Sequence, residues 1–132
     1  TVKVISLGKI YDENKIVEIY NIADVFLLPS REDNLPNVIL ESFAVGLPII
    51  SYNIGGIKEH VLPNKTGFIS KELTGISLSE KIIAFYKAKE SFNSLQIRKY
   101  AEEHFSFYNQ YKGYSKIYKE LSLYLRFLGK FT

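Results

Sequence analysis

Residues 33–56 read DNLPNVILESFAVGLPIISYNIGG and follow, after Pro29 to Glu32, the apolar run Val25-Phe26-Leu27-Leu28. Together they describe a strand, a sharp polar turn, a nearly all-apolar helix bearing one carboxylate, a second short strand and a glycine pair. Strand, helix and strand joined by short links specify a parallel crossover, and ligands of such sheets sit outside the carboxyl ends of the strands. Ser30 to Leu35 occupy that rim. Pro36 suits the first helical position, because its missing N–H would have no partner there. The N–H groups of Asn37 and Val38 then point out of the helix end and make a ready site for phosphate.

Within the helix over 37–45, Val38, Ile39, Leu40, Phe43 and Ala44 leave almost no polar face, so burial nearly all round is expected. Glu41 is the exception. A carboxylate in such surroundings costs several kcal/mol unless it is hydrogen-bonded or reaches solvent. It either projects at the helix edge, binds a neighbouring backbone amide, or meets the hydroxyls of a ligand. Asp33 has two readings as well, a helix-capping aspartate or a ligand contact. Gly46 and Pro48 end the helix, Ile49 to Tyr52 form the next strand, and Gly55-Gly56 return to the rim. There, two residues without side chains let the backbone come close to a bound molecule. No G-x-G-x-x-G follows any strand, so there is no dinucleotide fingerprint.

Working outward, Val2, Val4, Ile5 and Leu7, closed by Gly8, read as a buried parallel strand. Asp12 or Asn14 caps a helix whose Ile16, Val17, Ile19, Tyr20 and Ala23 recur at core-packing intervals. Downstream, Ile57 to Leu62 make one or two helical turns, with His60 a surface or boundary residue rather than a base. Asn64 to Gly67 are a turn and Phe68-Ile69 a short last strand. Helical periods then run over Ser79 to Lys89, Ser94 to His104 and Asn109 to Leu128. Tyr111, Tyr114, Tyr118, Tyr124 and Phe127 form an aromatic stripe on the last helix, expected to pack as core in preference to docking on a membrane interface.

The composition, 46% hydrophobic and 23% charged, is globular, and 132 residues are expected to form one domain. No apolar run approaches the roughly 20 residues that span a bilayer, and TVKVISLGKI lacks the apolar core of a signal peptide. A cytoplasmic location is the expectation. With no cysteine and two separate histidines, no metal site and no cofactor are expected. The net charge of +3 is unevenly spread: residues 1–57 carry four basic and seven acidic side chains, residues 58–132 thirteen and seven. The basic half reads as a solvated helix face or as a surface for peripheral contact with an anionic inner membrane leaflet, worth roughly 1 kcal/mol per basic residue near it. No nucleic-acid partner is expected.

The blocks ADVFLLPS, LESFAVGLPII, NIGGIKEHVLPNKTGFI and HFSFYNQYKGYSKIYKEL, with the acids Asp33 and Glu41 flanking seven residues, resemble in order and spacing glycosyltransferase family 4, retaining enzymes of the GT-B fold. The resemblance covers nearly the whole chain and implies an α/β, Rossmann-like parallel sheet with flanking helices and a helical C-terminal tail. It implies that Asp33 contacts the donor sugar near the reacting carbon, as the catalytic acid of the pair, and that Glu41 binds the ribose diol. Asn34, Leu35, Pro36, Asn37 and Val38, with Gly55 and Gly56, would line the nucleotide-sugar site. The turn Gly8-Lys9-Ile10 either lies near the nucleotide base, Ile10 included, or is only a turn. The first acid departs from the family's Glu by one methylene, and Glu32 beside it is a substitute candidate.

The family's acceptor-binding domain, and the upstream Arg and Lys that neutralise the donor diphosphate, have no counterpart in these residues; Arg31 and Lys58 do not match those positions. The expectation is a donor-binding portion, inactive alone, of a metal-independent hexosyltransferase. It would use a UDP- or GDP-hexose and build a surface polysaccharide or lipid-linked glycan on an acceptor held by the missing domain. The alternative is a non-catalytic sugar-nucleotide-binding or scaffold domain.

Overall fold

The computed structural model describes residues 2–128. Helix α1 (Glu13–Ile22) begins at Asp12, whose carboxylate accepts the Asn14 N–H at 2.9 Å. Strand β1 (Phe26–Leu28), helix α2 (Asn37–Ala44) and strand β2 (Ile49–Tyr52) follow. After them come a single-turn helix α3 (Ile57–His60), strand β3 (Gly67–Ser70), and helices α4 (Gly75–Ala88), α5 (Ser94–Phe105) and α6 (Phe107–Phe127). The sheet has the order β1-β2-β3, all parallel, with Leu27 opposite Ile50 and Ile50 opposite Phe68.

Successive residues of a strand face opposite sides, so a strand covered on both sides is expected to be largely apolar. The central strand β2 is such a strand: all four of its residues are buried. Ile49 joins Leu28, Ile39, Phe43, Ile57, Val61, Ile97 and Ala101 under α2, α3 and α5. Ile50 and Tyr52 join Leu78 and Phe85 under α4. This is the Rossmann-like α/β arrangement expected. Thr74, Asn93 and Ser106 cap α4, α5 and α6 through their side chains, each accepting a backbone N–H from the first turn. The Thr74 cap lets α4 start at Gly75, earlier than its apolar period suggested.

Gly46 fixes how α2 meets α5. It ends α2 at φ +81°, and its N–H donates to the Phe43 carbonyl at 3.0 Å. A Cβ there would lie 2.5 Å from the carbonyl oxygen of Ser94, at the start of α5.

Four expectations are corrected. Residues 2–7 form no strand; Val2 and Val4 are 87% and 85% exposed. A strand needs a ladder, and among the described residues β1 pairs only with β2: its outer edge is left unpaired, and residues 2–7 do not dock on it. Helix α2 is not buried all round: Asn37, Glu41 and Ala44 form an exposed stripe. Pro36 stands just before the helix, as its extended N-cap (ψ 143°), rather than in its first turn. The stripe on α6 is not core of this chain, since Tyr111, Tyr114, Tyr118, Tyr124 and Phe127 are all exposed. No described helix is long and apolar enough to cross a membrane.

Candidate functional site

At the carboxyl ends of the strands the chain makes two loops that touch. The loop between β1 and α2 carries Asp33, Asn34 and Leu35; the loop between β2 and α3 carries Gly55 and Gly56. The Gly56 N–H donates to the Asn34 carbonyl at 2.7 Å. Gly55 sits at φ +46°, and a Cβ on it would lie 2.2 Å from the Asp33 carbonyl oxygen and 2.9 Å from the Asn34 Cα. The glycine pair was expected to admit a bound molecule. Its observed neighbour is the acidic loop, which only a residue without a side chain can approach so closely.

Asp33 is exposed and does not cap α2, which has no side-chain cap at all. The helix-capping reading of this residue therefore falls. Asn34 and Asn37 are exposed beside it. Leu35 and Val38 turn their side chains into the core beneath, so only their backbone groups can serve the rim. Pro36 is half-buried between them. Ile10 is half-buried in the irregular segment before α1 and belongs to neither core cluster. Arg31, Glu32 and Lys58 are exposed.

Glu41 lies four residues into α2 from Asn37, on the same exposed stripe and about 6 Å further from the rim by helix geometry. Its carboxylate reaches solvent at the helix edge and accepts a hydrogen bond from the Tyr20 hydroxyl at 3.2 Å. Tyr20, placed by sequence among the core residues of α1, is the one residue of this assembly that pattern did not flag. The available signal was its hydroxyl, because a tyrosine in an apolar stripe needs a partner for its O–H. Its ring meets Phe26 edge-on, with centroids 5.6 Å apart. Burial raises the Tyr20 pKa above its usual 10, and the charge and hydrogen bond of Glu41 raise it further, so the phenol remains a donor at neutral pH.

His60 is half-buried under the rim. Its Nδ1 lies 3.1 Å from the Tyr100 hydroxyl, and its ring meets Phe105 edge-on at 4.6 Å. Burial lowers its pKa below 6.5 and the neighbouring His104 adds to this, opposed by Glu59. It is a boundary residue, as expected.

A cavity of about 350 Å³ opens toward the other end of the sheet, lined by Tyr20, Asp24, Gly46, Pro48, Phe85 and Lys89 among others. It lies at the amino ends of the strands, away from the two loops. In a parallel sheet the carboxyl-end rim has the stronger claim.

This rim, at the end of a parallel sheet and facing a helix N-terminus, is the kind of place where α/β proteins hold phosphorylated ligands. The chain belongs to the glycosyl transferases group 1 family, whose model matches residues 1–104. It is 30% identical over 89 residues to the Vi polysaccharide biosynthesis protein VipC/TviE of Salmonella typhi, covering 63% of this chain and 15% of that protein. It is 28% identical over 111 residues to N-acetyl-alpha-D-glucosaminyl L-malate synthase of Bacillus anthracis, covering 84% of this chain and 27% of that one. The chain thus spans about a quarter or less of these relatives. Its fold matches sucrose-phosphate synthase of Thermosynechococcus elongatus with a TM-score of 0.74 at 23% identity, over 89% of this chain and 30% of that structure.

Proposed function

We propose that this chain is the donor-binding part of a retaining, metal-independent glycosyltransferase. It takes a hexose from UDP or GDP and adds it to a growing surface polysaccharide or lipid-linked glycan held by an acceptor domain outside these residues. The observation that carries this reading is the exposed stripe of α2. The first N–H groups of the helix, at Asn37 and Val38, face the rim, and the Glu41 carboxylate follows one turn along. A diphosphate at the helix end would place a ribose diol within reach of Glu41, about 6 Å away. Asp33, on the loop clamped by Gly55 and Gly56, stands beside the same helix end and takes the sugar.

Carboxylates accept hydrogen bonds from sugar hydroxyls at no cost in protonation, and helix N–H groups supply fixed partial positive charge for the diphosphate. Such preorganised donors do the work that Mg²⁺ does elsewhere, which supports metal independence. The N-acetylglucosaminyl L-malate synthesis of the Bacillus anthracis relative and the polysaccharide role of the Salmonella typhi relative support the sugar chemistry and the acceptor class, respectively. Basic side chains on α6, Lys112, Lys116, Lys119 and Arg126, support a cytoplasmic location with peripheral contact at the inner membrane face. The exposed aromatic stripe of that helix favours a second reading, a scaffold domain without turnover.

Calorimetric titration with UDP and GDP tests the proposal. One nucleotide should bind with a Kd on the order of micromolar to millimolar. Glu41→Ala should weaken it about 10- to 100-fold, as expected for losing hydrogen bonds to a charged group. A folded chain that ignores both nucleotides would mean that the diphosphate-neutralising cations outside these residues are indispensable or that the site is vestigial, and the scaffold reading would move ahead.

A further inference from the structure

We infer that Tyr20 is a positioning residue for Glu41, holding the carboxylate in the orientation that receives a vicinal diol; this rests on the donor-site reading above. Glu41 is an exposed side chain on a helix surface, and such a side chain is normally free to sample its rotamers. Here the Tyr20 O–H donates to Oε2 at 3.2 Å. The phenol itself is held, because its ring packs edge-on against Phe26 of β1 at 5.6 Å. The hydroxyl therefore projects from a fixed frame made by α1 and the sheet. A carboxylate has about four acceptor positions on its two oxygens. One is taken by Tyr20, and Oε1 with the rest of Oε2 remains for two hydroxyl donors side by side.

Fixing the acceptor beforehand removes an ordering cost from binding. The burial and charge that raise the Tyr20 pKa keep the proton on the phenol, so the contact persists across the neutral range.

Tyr20→Phe keeps the ring and its contact with Phe26 while deleting the donor. The probes are UDP and GDP, whichever binds, and the 2′,3′-dideoxy form of the same nucleotide, titrated against wild type, Tyr20→Phe, Glu41→Gln and the double variant. Tyr20→Phe should weaken the ribonucleotide about threefold to tenfold, leave the dideoxy form unchanged, and add nothing in the Glu41→Gln background. Equal loss on both probes would show that the tyrosine only supports the fold and would overturn the inference. So would wild-type binding by Tyr20→Phe when Glu41→Gln discriminates between the two probes; in that case the donor site stands and Tyr20 alone is wrong. Should neither nucleotide bind, or Glu41→Gln bind like wild type, the donor-site reading falls and this inference with it.

Discussion

Gly55→Ala is the sharpest test of how the rim is built. The added methyl carbon would lie 2.2 Å from the Asp33 carbonyl oxygen and 2.9 Å from both Cα and O of Asn34, all of them backbone atoms that no rotamer change can move. The backbone at φ +46° independently costs an alanine about 1–2 kcal/mol. Overpacking against fixed neighbours adds about 1–3 kcal/mol, and the smaller entropy of an unfolded alanine returns about 0.4–1. The net expectation is a loss of about 1–4.5 kcal/mol, centred on about 3. The chain can avoid part of that loss by letting the 33–35 loop swing away, which breaks the 2.7 Å bond from Gly56 to Asn34 and moves Asp33.

Stability and site therefore trade against each other in this variant, and two measurements are needed. Urea denaturation reads the first, and nucleotide-sugar binding on the same samples reads the second. At least one should fall: either the midpoint drops by the equivalent of about 1 kcal/mol or more, or the stability is kept and sugar-dependent affinity is lost. Gly113→Ala supplies the internal comparison. It lies inside α6 with nothing within 4 Å of a built Cβ, so it should gain up to about 1 kcal/mol of helix stability. A Gly55→Ala chain with wild-type stability and wild-type sugar-nucleotide binding would refute the clamp.

Acidification should weaken the fold through His60. Its folded pKa is lowered, first by burial and then by His104, so it contributes stability present above about pH 6.5 and lost as pH falls through the folded value. Urea midpoints at pH 7.5 and 5.5 should converge in His60→Gln relative to wild type. Thr66→Val should cost about 1–3 kcal/mol by thermal melting, because the buried hydroxyl donates to the His60 carbonyl and accepts the Leu62 N–H at 2.7 Å. Ser51→Ala should be neutral or stabilising in the same assay, since Ser51 is fully buried in β2 and its hydroxyl has no partner.

What the sequence disclosed was local. The cap at Asp12, the stop at Gly46 and Pro48, and the run of β2 are set by neighbours within a few residues, and these elements fall where the signals put them. What it did not disclose depends on distant partners. The run Val2 to Leu7 announces a strand, yet a strand forms only where it docks on a sheet, and this run leaves the outer edge of β1 unpaired. Leu40 and Ala44 are apolar enough to suggest that α2 is enclosed, but whether that face is covered depends on what packs there. The stripe on α6 shows the same thing on a larger scale: periodicity says that a face seeks a cover and is silent about what covers it. Tyr20 reaches a residue 21 positions away, a contact no periodicity encodes.

The eight-residue separation of Asp33 and Glu41 now has a structural meaning different from a helical spacing. Only the last four steps are helical; the first four run through an irregular loop and Pro36. The two carboxylates therefore stand on unlike supports. Glu41 is carried by α2, which is anchored in the core through Ile39 and Phe43, both fully buried. Asp33 is carried by a loop whose place is set by backbone contact with the glycine pair of another loop. A residue on a core-anchored helix is held rigidly, whereas a loop held by one short hydrogen bond and two bare Cα atoms can move when either is disturbed. Under the proposed division of labour, the nucleotide is read by the rigid member of the pair and the sugar by the adjustable one. The shorter Asp in place of the family's Glu sits on the support that can shift to meet its ligand.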